Sequence, residues 1–151
     1  MTSANQFPRA RDPELVGSHL AFVKSAGGNV WDDVPEYRVW CHPEQAAADE
    51  EDGSDCYYAF EMFDVAEKFS RETPGAEEPL ALIVQQEFIS EPQPGVYLQV
   101  RERRIAEWPV EFLSRPRRTE RTIANFMAAD APTNRLDVLR GLAPAAQDQE
   151  R

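Results

Sequence analysis

The stretch that decides the fold is Pro79-Leu80-Ala81-Leu82-Ile83-Val84-Gln85-Gln86-Glu87-Phe88-Ile89. Its continuous apolar run, Leu80 to Val84, does not alternate. A strand reads this way when both of its faces are covered, so this one belongs at the centre of a sheet. Glu91-Pro92-Gln93-Pro94-Gly95 then reads as a turn. Val96, Leu98 and Val100 follow, alternating with Tyr97 and Gln99, and Ile105 to Trp108 is a further strand after a turn at 101–104. Upstream, Tyr37, Val39 and Cys41 alternate with Arg38, Trp40 and His42. Cys56 to Phe60 is the returning strand of a long-looped hairpin, its loop the alanine-rich and then acidic insert 43–55, too polar to pack. Strands joined by turns give an antiparallel sheet of four to five strands, and helices pack mainly on one of its faces.

The helices are read from caps and periodicity. Asp12-Pro13-Glu14 is a strong start signal, and Leu15, Val16, His19, Leu20, Phe22 and Val23 form an apolar stripe ending at Gly27-Gly28. The glycine pair reads as a C-terminal cap, the commoner use of such glycines, with a flexible ligand loop as the alternative. Asp64 and Glu67 suggest a capping box, with Val65, Ala66 and Phe69 facing inward and the helix stopping before Pro74-Gly75. Thr119 is placed to cap a helix through Met127, and Asn134 one through Leu142. The whole is a single α+β domain over 12–143, with a flexible arm at 1–11 and a flexible tail at 144–151.

The chain has 151 residues, enough for one domain with a sizeable core, and a net charge of −11. That charge is segregated. Between Glu44 and Glu78 twelve acids face Lys68 and Arg71, whereas between Arg101 and Arg121 seven arginines face four glutamates. Such asymmetry favours oriented contact with a charged partner. An acidic protein repels nucleic acid, so that class is disfavoured. No apolar run approaches the roughly 20 residues of a membrane span, and no secretory signal opens the chain; a cytoplasmic protein is expected, with Cys41 and Cys56 as reduced thiols.

Candidate chemistry is sparse. The only cluster of metal-ligand types is His19, Cys41, His42 and Cys56, but adjacent Cys41 and His42 point to opposite sides of one strand, so no metal is expected. The same geometry separates Cys41 from a base, and Asp55 disfavours a reactive Cys56 thiolate. No nucleophile elbow and no glycine-rich phosphate loop is present. Asp32-Asp33 reads as a turn. The strongest surface candidate is Glu107 to Arg118, whose Trp108, Phe112, Arg115, Arg117 and Arg118, with Arg121, are of the types that dominate interface hot spots. The alternative is that Trp108, Phe112 and Leu113 close the core while the arginines solvate. The arginines also suit a phosphate or carboxylate.

The segments Tyr37-Arg38-Val39-Trp40, Thr73-Pro74-Gly75-Ala76-Glu77-Glu78-Pro79-Leu80, Glu91-Pro92-Gln93-Pro94-Gly95-Val96-Tyr97 and Arg104-Ile105-Ala106-Glu107-Trp108 resemble those of small bacterial proteins labelled as relatives of the GNAT-type N-acetyltransferases. The resemblance implies an acetyl-CoA-dependent transferase. That family holds its cofactor on an Arg/Gln-x-x-Gly-x-Gly/Ala turn between a strand and a helix. Here the nearest match, Arg71-Glu72-Thr73-Pro74-Gly75-Ala76, has proline at the first glycine and precedes a strand, so no catalytic residue carries over. The expectation from the residues is therefore a small interaction or accessory protein without a cofactor, binding a partner protein through its aromatic and arginine-rich surface. The alternatives are an acetyltransferase-like protein with a degenerate acetyl-CoA loop and an anion-binding or small-ligand-binding protein.

Overall fold

A computed structural model describes residues 7–19, 24–25, 27–43 and 56–144. The described strands are β1 (Lys24–Ser25), β2 (Asp33–Cys41), β3 (Cys56–Phe60), β4 (Leu80–Gln85), β5 (Phe88–Gln93), β6 (Val96–Val100) and β7 (Arg104–Pro109). The helices are α1 (Phe63–Glu72), α2 (Thr122–Met127) and α3 (Arg135–Leu139), with short 3-10 turns at Pro13–Leu15 and Val110–Ser114. The class is α+β. One sheet has the order β1-β7-β4-β2-β3, antiparallel except for the parallel β1–β7 contact, and β5–β6 form a separate hairpin.

The apolar run behaves as its composition requires. β4 lies between β2 and β7, and Ala81, Leu82, Ile83 and Val84 are all fully buried. On one face, Tyr37, Val39 and Cys41 join Ala81, Ile83, Ala106 and Trp108 beneath Phe63 and Ala66 of α1. Each large side chain so buried contributes roughly 1.5–3 kcal/mol. Burial also raises the Tyr37 phenol pKa above its ordinary value. The strand predicted over 79–89 breaks at Gln86-Glu87, and its second half turns away into the β5–β6 hairpin. That hairpin and α2–α3 share a second core of Val30, Phe88, Ile89, Ile123, Phe126 and Leu139. The C-terminal helices thus cover the hairpin. α2 and α3 are also shorter than expected, and neither N-cap residue, Arg121 or Asn134, makes a side-chain cap bond.

Three other expectations change. The helix from Asp12 is only the 3-10 turn Pro13–Leu15, because Val16 is extended and Gly17 takes φ +88°; Leu20, Phe22 and Val23 lie outside the described residues. Residues 7–11 are packed: Phe7 meets the Phe63 ring edge-on at 4.8 Å, Ala10 is buried, and the Tyr37 hydroxyl donates to the Pro8 carbonyl. The predicted arm therefore belongs to the core at its C-terminal end. α1 starts at Phe63, before Asp64, so no capping box forms; its inward stripe is Phe63, Ala66 and Phe69, which leaves Val65 50% exposed. The 44–55 insert and the tail from 145 lie outside the described residues. β2 and β3 do pair antiparallel, with Cys41 directly opposite Cys56. No described helix is long and apolar enough to cross a membrane.

Candidate functional site

The arginine segment begins where β7 leaves the sheet. Trp108 points into the core, is 1% exposed and donates its indole N–H to the Gly27 carbonyl at 2.9 Å. Phe112 packs edge-on against it with centroids 5.5 Å apart. The Arg115 guanidinium covers both rings, at 5.4 Å from Trp108 and 4.6 Å from Phe112, and donates to the Asn29 carbonyl at 3.1 Å. The Arg115 carbonyl in turn accepts the Trp31 indole N–H. Burial, with a smaller repulsion from Arg140, lowers the Arg115 pKa.

Arg118 is similarly committed. Its Nε donates to Asp32 Oδ1 at 2.9 Å and its Nη1 to Glu87 Oε2 at 3.1 Å, while its backbone N–H binds the Trp31 carbonyl. The residue therefore ties the start of β2 to the start of β5. Arg117 lies over the Trp31 ring at 4.9 Å and reaches Asp33 at only 3.9 Å, leaving its side chain 52% exposed. Arg121, at the start of α2, is exposed, as are Arg101 and Arg103 before β7. Arg115 has extended backbone, φ −67° and ψ 148°, as the chain leaves the 3-10 turn, and Pro116 fixes the next φ.

The structure thus separates the six predicted residues. Trp108, Arg115 and Arg118 hold the segment against residues 27–32. Arg117 and Arg121 face outward, and Phe112 is half-buried between the two groups. Asp32-Asp33 serves as anchor: Asp32 takes Arg118 and the Gln86 N–H, and Asp33 takes Arg11 and Arg117.

Sequence reading missed a buried charge network on the opposite face of the sheet. Arg38 and Glu36 are fully buried. Arg38 donates to Glu36 Oε2 and to Glu107 Oε2, both at 2.7 Å; Trp40 also reaches Glu107, and the Gly17 N–H caps Glu36 at 2.8 Å. Burial opposes the Arg38 charge, but these carboxylates outweigh it and raise its pKa. Tyr57 lies 4.3 Å from the guanidinium and donates to the His19 carbonyl. A signal was present. The two-sided Leu80–Val84 run demands that both faces be covered, which buries Arg38 and obliges it to find acids.

Among the described residues no three of His, Cys, Asp and Glu converge as a metal site. Cys41 is buried, whereas His42 on the other side pairs with Glu77. The Arg71–Ala76 turn leads from α1 towards β4, with the Gly75 carbonyl accepting from His42. This is the reverse of a strand-to-helix cofactor turn. Comparisons with protein families, curated proteins and solved structures returned no match.

Proposed function

We propose that this is a small binding protein that associates with a partner protein through the outward part of its arginine segment. The observation that supports this reading is the division within 115–121. Arg115 and Arg118 are fastened inward, so Arg117 and Arg121 are presented from a firmly held backbone. A held backbone reduces the ordering cost of association, and arginine beside a half-buried aromatic such as Phe112 suits an interface. Arg101 and Arg103 add further exposed positive charge, so the partner surface is acidic.

The test is retention of a partner by tagged protein at low salt, repeated at high salt, with mass spectrometry of what stays bound. A stoichiometric, salt-released partner with an acidic surface is expected. Retention of nothing, or of a protein indifferent to salt, would overturn the reading.

A further inference from the structure

β6 is one strand of a two-stranded sheet. Tyr97 turns towards α2, where its ring meets Phe126 edge-on at 5.0 Å. Val96 and Leu98 point to the opposite face and are 45% and 53% exposed. Among the described residues they are the only large apolar side chains left exposed on a strand. β6 pairs with β5 alone among the described residues, so its outer edge presents a row of backbone donors and acceptors. The outer side of β5 is engaged, since the Ile89 N–H bonds the Gly28 carbonyl.

A hairpin is marginal as a sheet, and three or more strands make the stable unit. Native edges are blunted by proline, by charge or by a covering segment. Val96-Tyr97-Leu98-Gln99-Val100 carries neither proline nor charge, in a chain whose net charge is −11. The strand is also self-complementary. Set antiparallel to a second copy about Leu98, it places Leu98 opposite Leu98, Val96 opposite Val100 and Tyr97 opposite Gln99. Apolar positions then meet apolar positions on the exposed face, and such cross-strand pairs stabilise a sheet. The same register sets Arg101 of one copy opposite Gly95 of the other, whose N–H donates to Glu91 Oε2 at 2.9 Å. Arg101 and Glu91 are both exposed, so unlike charges stand at each end of the paired strands.

We propose that β6 pairs antiparallel with β6 of a second copy of this chain, giving a two-fold dimer with a continuous β5-β6-β6-β5 sheet. A charge-free strand is where two acidic molecules approach with least repulsion, and the Arg101 and Glu91 ends add attraction. The two-fold pairing uses the β6 edge of both copies, so assembly closes at two. An edge of five residues makes a small interface, so the dimer dissociates on dilution. The dimer stands independently of the partner reading and adjoins that surface only at Arg101.

The experiment is sedimentation velocity on the purified full chain from about 1 µM to about 500 µM. Amide exchange of residues 96–100 is measured at low and high concentration. A rise from the monomer to the dimer coefficient is expected, with exchange across 96–100 slowed as the dimer forms. Leu98→Lys sets two like charges together at the two-fold axis and should weaken dimerisation about tenfold or more. Val65→Lys, at a similarly exposed apolar site on α1, should dimerise as the parent does. Arg101→Glu should weaken the dimer several-fold, and Arg101→Glu/Glu91→Arg should recover it. A monomer throughout, with exchange unchanged, would overturn the proposal and leave the edge to a different chain. Association running past two copies, or a dimer that persists undiminished in folded Leu98→Lys, would overturn it as well.

Discussion

The two faces of the central sheet treat a buried arginine in opposite ways. On one face Arg38 sits between Glu36 and Glu107, with Trp40 donating to Glu107 and the Gly17 N–H to Glu36. On the other, Arg104 meets, among the described residues, the neutral acceptor Gln85 and the Phe88 ring. The first arrangement is closed: the guanidinium is held between two carboxylates inside the fold, and removing Arg38 would leave two acids there without it. The second is open among the described residues, where the cation is positioned but no carboxylate pairs with it. The arginine segment repeats the lesson in one dimension, since Arg118 is closed by Asp32 and Glu87 while Arg117 and Arg121 are left outward. Where the counter-charge resides separates an arginine that holds the structure from one available for binding.

Substitutions can break or sharpen that contrast. Glu36→Ala takes one of two carboxylates from Arg38 and leaves the Gly17 N–H without its acceptor; with Glu107 still paired to the guanidinium, a cost of about 2–3 kcal/mol is expected from urea unfolding. Arg118→Ala exposes Asp32 and Glu87 to mutual repulsion but with some access to water, so about 2 kcal/mol is expected in the same measurement. Arg104→Gln should change stability by less than about 1 kcal/mol in chloride buffer, since relief of desolvation offsets the lost stacking and hydrogen bond. If Arg104→Gln were as damaging as Glu36→Ala, the open and closed sites would not differ in kind. Arg117→Ala and Arg121→Ala should each stay within about 0.5 kcal/mol of the parent.

Much of the fold was legible because strand patterning is local and strong. The Leu80–Val84 run located the central strand, and the alternation at Tyr37–His42 located a second strand with the correct sidedness, though not their pairing with each other. The misread N-terminal helix shows the limit. Leu15, Val16 and His19 have helical spacing, but the chain leaves the helix because Gly17 adopts positive φ to deliver its N–H to Glu36, a partner 19 residues away. Spacing cannot report such a contact. The strand over 79–89 was likewise read as continuous, since nothing local marks Gln86-Glu87 as the point where the chain changes sheets. At the candidate site, residue types were informative but roles were not. Trp108 and Arg115 look like hot-spot residues in sequence, and only the long-range bonds to Gly27 and Asn29 identify them as fasteners. Gln85, a hub with bonds to Gly27, Val30 and Arg104, gave no signal at all.

The most direct test compares partner retention by two proteins at low salt: the fourfold variant Arg101→Ala, Arg103→Ala, Arg117→Ala, Arg121→Ala, and the parent, each with its unfolding midpoint recorded. The account predicts that the variant keeps the parent's urea midpoint and loses the salt-sensitive partner. Retention equal to the parent, with folding intact, would contradict the assignment of the outward arginines to binding.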